Sequence, residues 1–289
     1  MIMNDASRLI ERIGKLLDRV EILLPAGPDE PDWCAHAFRW RKPGNLRAVN
    51  HPYYLRLDDL LNIEPQKASL VLNTRQFVAG HPANNVLLSG SRGTGKSSLI
   101  KALLTEFGSL GLRLIEVDKY DLLDLSEIVE PLYDRPERFV IFTDDLSFEA
   151  GEAGYKALKA MLDGSIAATP DNVLIYATSN RRHLMPEFNR ENQDAQHVNG
   201  EIHHGETVEE KISLSERFGL WLSFHPFTQD QYLNAVFHWL ARLNAPLEDR
   251  EAIRADALRW SLKRGSRSGR VAHQFARDWA GRARLSSET

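Results

Sequence analysis

Five short apolar runs punctuate the middle of the chain: "NVLLSG" (85–90), "RLIEVD" (113–118), "RFVIFTDD" (138–145), "NVLIYATSN" (172–180) and "GLWLSFHP" (219–226). Each reads as a strand, and the segments between them carry apolar residues at helical spacing. Strands that alternate with helices predict an α/β fold with a parallel sheet covered on both faces. The near-continuous hydrophobicity of the runs agrees, because such strands are buried on both sides. The flanks follow other patterns. Residues 2–24 place Leu9, Ile10, Ile13, Leu16, Leu17, Val20 and Leu24 at helical, amphipathic spacing. "PAGPDEPDW" breaks that pattern with three prolines and predicts a linker. Beyond Pro226, "TQDQYLNAVFHWLARL" opens on a capping box, Thr228 with Gln231, and runs at helical period. Residues 249–264 and 270–284 are helical in pattern too. The expected divisions are an N-terminal helix and linker over 1–50, an α/β core over 51–226 and a helical domain over 227–289.

Composition narrows this picture only slightly. The chain has 289 residues, 43% hydrophobic and 26% charged, ordinary values for a globular protein with room for a core and an accessory domain. A net charge of −4 demands no polyanionic partner. A single cysteine, Cys34, builds no internal disulfide framework. No run is apolar or long enough to span a bilayer, and the first residues lack the apolar core of a signal peptide, so a cytoplasmic protein without membrane insertion is expected. "WCAHAFRWRKPGNL" mixes tryptophans with bases; a stacking surface for nucleic acid is one reading, and an arm docked on the core is the favoured one.

The strongest chemical signal lies between the first strand run and its helix. Gly90-Ser91-Arg92-Gly93-Thr94-Gly95-Lys96-Ser97 matches G-x-x-x-x-G-K-[ST] in full, with Ser98 following. The glycines let backbone amides turn inward around phosphates, and the helix that starts near Lys96 points its positive end at them. Lys96 is expected on the β- and γ-phosphates and the Ser97 hydroxyl on Mg²⁺. The third run ends in Asp144 and Asp145, the acidic strand tip such a site requires. Asp144 is assigned to the metal, and Asp145 or Glu149, four residues further on, to orienting the attacking water. Asp145 and Glu149 have a competing reading as caps of the next helix.

The fourth run ends in Thr178, Ser179 and Asn180. A polar amide at the carboxyl end of a parallel strand lies where ligands bind in open sheets, so Asn180 is a candidate to position water and sense the γ-phosphate. Arg217, just before the last strand, cannot easily reach its own phosphate loop. It is a candidate finger supplied to a neighbouring subunit, with a salt bridge to Glu216 or nearby acids as the plain alternative. Arg270, at the start of the last helix, is a candidate to fold over the γ-phosphate. The tail around it is rich in arginine, which is more often a solvated helix face than a nucleic-acid patch.

Taken together these residues resemble an AAA+ ATPase. The order is that family's order: phosphate loop, acidic strand, polar sensor strand, finger arginine and helical lid with a sensor arginine. The match is closer still to domain-of-unknown-function 815, through "ANNVLLSGSRGTGKSSL", "FTDDLSFE", "YATSNRRHL", "EEKISLSERFGL" and "SGRVAHQF", over about residues 52–284. The resemblance implies a P-loop sheet of five parallel strands with a C-terminal helical lid, and ATP with Mg²⁺ as cofactors. It implies Lys96 and Ser97 on phosphate and metal, Asp144 and Asp145 as the acidic pair, Asn180 as first sensor, Arg217 as finger and Arg270 as second sensor. It also implies rings or arrays of identical subunits with nucleotide between them. Two positions depart from the family pattern: Ser91 and Arg92 stand where prolines are usual, and Asp145 stands where glutamate is usual.

The long polar segment over 185–211 reads as a partner-binding or nucleotide-sensitive loop. The spacing of His197, His203 and His204 fits no standard metal site. After the second strand run, Tyr120 lacks the neighbouring glycine of protein-threading relatives, which argues against an unfoldase. The leading reading is an oligomeric ATPase that remodels or loads an unknown protein or nucleic-acid partner. The alternative is a slow nucleotide switch, and a small-molecule kinase ranks third.

Overall fold

All five apolar runs form strands, and their burial shows why. We describe a computed structural model, which covers residues 30–42, 44–148, 152–163, 170–180, 196–198, 201–203 and 216–287. The elements in chain order begin with β1 (Ala37–Arg41), β2 (Asn45–Ala48), α1 (Glu64–Val78), β3 (Val86–Gly90) and α2 (Lys96–Phe107). There follow β4 (Leu112–Glu116), α3 (Leu125–Val129), β5 (Arg138–Thr143), α4 (Ala153–Asp163) and β6 (Val173–Ser179). The last are β7 (Gln196–Val198), β8 (Glu201–His203), β9 (Leu220–Phe224), α5 (Gln229–Arg242), α6 (Arg250–Arg264) and α7 (Gly269–Ser287). The main sheet runs β2-β1-β4-β5-β6-β3-β9, and β7 pairs with β8 alone. Every neighbour in the main sheet is parallel except β1 and β2.

Successive residues of the central strands feed two separate cores, as the period of two requires. Val86, Leu88, Val140, Phe142, Leu174 and Tyr176 pack on the side of α1, α2 and the C-terminal helices. Leu87, Phe139, Ile141, Val173, Ile175 and Ala177 pack on the other side, with α3 and α4. The first cluster continues without a break into Leu233, Val236, Leu240, Ala272 and Phe275, so the C-terminal helices share a core with one face of the sheet. Their start is fixed by the expected capping box: Gln231 N donates to Thr228 Oγ1 at 3.2 Å and Thr228 N to Gln231 Oε1 at 2.9 Å.

Two strands of the main sheet were not expected. Residues 37–48 extend the sheet beyond β4, where sequence reasoning placed an arm docked on the core. Their tryptophan neighbours turn inward rather than forming a stacking platform. Trp40 is buried and its Nε1 donates to Asp124 at 2.9 Å, while Trp33 lies against Phe139 at 6.0 Å between ring centres. The short antiparallel β2 ends that side of the sheet, a common way to blunt an edge. The expected helix over 2–24 lies outside the described residues, as does most of 185–211.

A buried polar knot sets the height of the central strands. Tyr176 Oη in β6 is 3.0 Å from both Asn73 Nδ2 and Thr74 Oγ1 of α1, and Asn73 also pairs with the backbone of Asn84 just before β3. Burial pushes the Tyr176 phenol up, so it stays neutral and its hydrogen bonds persist. Helix α1 is thereby tied to the strands whose carboxyl ends carry the site.

Candidate functional site

The β3–α2 turn needs its glycines for two physical reasons. Gly90 has φ +126°, and a Cβ there would lie 2.0 Å from the Phe224 carbonyl oxygen of β9. Gly93 has φ +76°, and a Cβ there would meet Ser268 Oγ at 2.7 Å. The turn is therefore squeezed between the sheet and the start of α7. Arg270 N, in the first turn of α7, donates to Gly93 O at 3.1 Å. The N-termini of α2 and α7 thus converge on one loop, and both present positive ends there.

Lys96 is buried inside this turn. Its Nζ donates to Gly90 O and Ser91 O at 2.8 Å and to Asn180 Oδ1 at 3.1 Å. Burial pushes its ammonium down to about 8, against the opposing pull of Asp144 and Asp145. An ammonium that satisfies itself on the loop's own carbonyls is one that gains from stronger anionic acceptors.

The acidic strand end is built by two strands and a helix. Asp144 Oδ1 accepts from Ser97 Oγ of α2 at 2.5 Å and from Thr178 Oγ1 of β6 at 2.5 Å. Asp145 N donates to Asp144 Oδ1 at 3.1 Å and to Thr178 Oγ1 at 3.0 Å. Asp145 itself has φ +52°, a left-handed conformation that aspartate tolerates better than longer side chains. This gives a local reason for the short acid at this position. Asn180 Nδ2 donates to Asp145 Oδ1 at 2.6 Å, so one amide bridges Lys96 and Asp145. The lysine can only donate, which fixes the amide's orientation.

Around these groups lies a cavity of about 500 Å³, lined by Arg92 to Ser98, Asp144, Asp145, Thr178, Asn180 and Arg270 among others. The sequence candidates therefore meet in one place, with Gly90 and Ser91 supporting the loop through their carbonyls. Arg217 is not among the lining residues, and its Nε pairs with Asp163 at the end of α4. Glu149 lies outside the described residues.

Half of the cavity wall carried no motif. Tyr53, Leu55, Leu60, Leu61 and Ile63 reach it from the strap before α1, and Phe227, Ala235, Trp239 and His273 from the C-terminal helices. The strap is latched to α5. Asp59, almost fully buried, lies 3.3 Å from His238 Nε2 and 3.1 Å from Arg242 Nε, and Asn62 Nδ2 donates to Gln231 O at 2.9 Å. Sequence reasoning missed these residues because apolar positions in a short connecting segment resemble ordinary core. Thr178 was noticed as polar, but its grip on Asp144 depends on the β5–β6 pairing and so was not visible.

The donor set fits a magnesium nucleotide. Among the described residues no group of three or more His, Cys, Asp or Glu could hold a metal ion. Mg²⁺ instead takes one or two protein ligands and completes its shell with phosphate and water. Ser97 Oγ and Asp144, already in contact, are such a pair. Lys96, Arg92 and Arg270 supply positive charge around the same cavity, and its apolar half extends beyond what a bare phosphate group requires.

Residues 34–283 match the model of the family described as "Protein of unknown function (DUF815)". A comparison with curated proteins finds no match. Similar solved structures include Thermotoga maritima RuvB, titled a Holliday junction branch migration motor, at 21% identity and TM-score 0.50, covering 77% of this chain and 63% of that one. Two single-substitution variants of that protein have TM-scores of 0.51 and 0.52 at 20% and 19% identity, with the same coverage. The chain thus spans under two thirds of those structures. The shared architecture is the AAA+ fold, with β9-β3-β6-β5-β4 as the five expected parallel strands. Among the described residues no helix is long and apolar enough to cross a membrane.

Proposed function

We propose that this chain, which belongs to the DUF815 family of proteins of unknown function, is an AAA+ ATPase whose hydrolysis depends on a second copy of itself. The observation that carries this reading is a division of the candidate residues. Lys96, Ser97, Asp144, Asp145, Asn180 and Arg270 surround one cavity, while Arg217 lies off it. In this reading the groups for metal, phosphate and water gather in one copy, and the finger Arg217 comes from another.

In this reading Lys96 Nζ exchanges the Gly90 and Ser91 carbonyls for phosphate oxygens, and Ser97 with Asp144 holds Mg²⁺. Bound Mg²⁺ neutralises developing charge on the phosphate oxygens. Asp145 accepts the proton of the attacking water on its carboxylate, with Glu149 as the alternative acid. Asn180 orients that water and releases Asp145 from the 2.6 Å bond now between them. Arg270 moves with the lid, and Arg217 serves the neighbouring subunit. The work done is remodelling or loading of a protein or nucleic-acid partner. The slow switch is kept as a second reading because the short Asp145 is already engaged by Asn180.

The test is ATP turnover per protomer against protein concentration, with Mg²⁺, for the wild type and Arg217→Ala. The expected result is a specific rate that climbs with concentration and falls about 10³-fold in the variant, with affinity nearly intact. A rate that is flat and very low in both selects the switch. A large affinity loss without concentration dependence places Arg217 in its own site and refutes the shared arrangement.

A further inference from the structure

The lid helix α7 carries two side chains toward the cavity, one turn apart: Arg270 and His273. Residues three apart share a helix face, and their separation along the axis is about 4.5 Å. The first turn is pinned to the phosphate loop by the bond from Arg270 N to Gly93 O. The next turn stands farther from that loop, where Trp239, Phe227 and the strap line the cavity. In a bound nucleotide that part of the wall faces the nucleoside.

His273 is held for such a role. Its ring lies 4.4 Å from the Trp239 ring of α5, centre to centre and tilted by 55°, and both residues line the cavity. Trp239 in turn neighbours the strap that Asp59 and Asn62 fasten to α5. Burial, and then the nearby Arg277 guanidinium, push the imidazole below its ordinary value, so it is neutral at pH 7. A neutral imidazole offers one donor and one acceptor. Vicinal hydroxyls of a ribose offer both kinds of partner, whereas a phosphate offers only acceptors.

We infer that His273 is the residue that selects a ribonucleotide, by hydrogen-bonding the ribose hydroxyls of the nucleotide whose phosphates lie at Lys96 and Arg270. The inference rests on the nucleotide-site reading above and deepens it. It gives α7 a contact at each end of the cavity, Arg270 beside the phosphate loop and His273 on the Trp239 side. The lid then registers the whole ligand rather than its charge alone. The plain alternative is that His273 only packs on Trp239, and the two differ in what they predict for ligands without a sugar.

The experiment measures equilibrium affinity, with Mg²⁺, for three probes: ATP, 2′,3′-dideoxy-ATP and inorganic tripolyphosphate. It uses the full chain as wild type, His273→Phe and His273→Gln. Phenylalanine keeps a ring against Trp239, and glutamine keeps a donor and an acceptor. The wild type is expected to prefer ATP to the dideoxy analogue by about tenfold, the worth of one or two hydrogen bonds. In His273→Phe that preference disappears while tripolyphosphate affinity stays within about twofold, and His273→Gln restores part of the preference. A His273→Phe protein that keeps the preference, or that loses tripolyphosphate binding equally, overturns the inference, as does a wild type that binds ATP and the dideoxy analogue alike. A wild type that binds neither ATP nor tripolyphosphate overturns this inference together with the nucleotide-site reading beneath it.

Discussion

The two ends of the cavity are built on opposite principles. The phosphate end is a continuous loop with two strand tips, and Lys96, Ser97, Asp144, Thr178 and Asn180 there are polar and tied to one another or to the loop by hydrogen bonds. The nucleoside end is mostly an apolar wall assembled from a strap before α1 and two helices from the far end of the chain. Phosphate chemistry is demanding in type and geometry, so it fixes residues and spacing. Enclosing an apolar surface is tolerant, and many side chains of suitable size would do it. In the proposed reading the first end sets whether an anion binds, and the second sets which anion and links binding to the position of the lid.

The largest break of this contrast comes from Lys96→Ala. It removes a charge that makes two hydrogen bonds to the turn and one to Asn180, and that faces the expected phosphates. Affinity for ATP and for tripolyphosphate should both fall by about 10²-fold or more, since each charge-assisted bond is worth about 1.5–3 kcal/mol. Titration calorimetry with both probes checks it. Unchanged tripolyphosphate binding would show that the loop is not where the phosphates lie.

A smaller effect is expected at a residue no motif marks. Thr178→Val keeps shape but removes the hydroxyl that donates to Asp144 Oδ1 and accepts from Asp145 N. The acid that is to hold Mg²⁺ loses its orientation, and such supporting bonds are typically worth about 10–100-fold in metal affinity. The Mg²⁺ concentration needed for half-maximal ATP binding should rise by about tenfold or more, with Mg²⁺-free binding little changed. Equal losses with and without Mg²⁺ would mean that Thr178 supports the strand rather than the metal.

The same contrast explains what was legible in the sequence. Gly90 to Ser98, Asp144 and Asn180 announce themselves because each sits at the end of an apolar run, a local pattern. The capping box at Thr228 and the helices at 249–264 and 270–284 are local too, and they appear as α5, α6 and α7 nearly at the expected limits. Strands β1 and β2 escaped because "FRWR" alternates apolar with basic residues; Arg39 is exposed and pairs with Glu116 across the β1–β4 ladder. A half-exposed strand of that kind is indistinguishable from an arm until its neighbour is known. The basic tail is partly self-neutralised, with Arg259 on Asp256 and Arg282 on Asp278, and Arg264 lies over the Trp260 ring. His273 and Trp239 escaped for a stronger reason: only the packing of α5 against α7 brings them to one wall.

The finest test of the contrast is the strap latch. Asp59 is almost fully buried, but Arg242, one of its two partners, is about half exposed, which limits what the pair contributes. Asp59→Asn keeps the side chain's size and removes its charge. The strap should then sit less firmly on α5, at a cost of about 1 kcal/mol, which is roughly fivefold in ATP affinity. Added salt should shrink the difference between the two proteins, because the exposed partner is screened in both. Tripolyphosphate affinity should change less, since the partners of Asp59 are His238 and Arg242 of α5. An equal loss for ATP and tripolyphosphate would show that the strap braces the phosphate loop, and the two ends of the cavity would then be one mechanical unit. A loss confined to ATP shows that they are separable, so that lid position and phosphate binding can be tuned by different residues of the same chain.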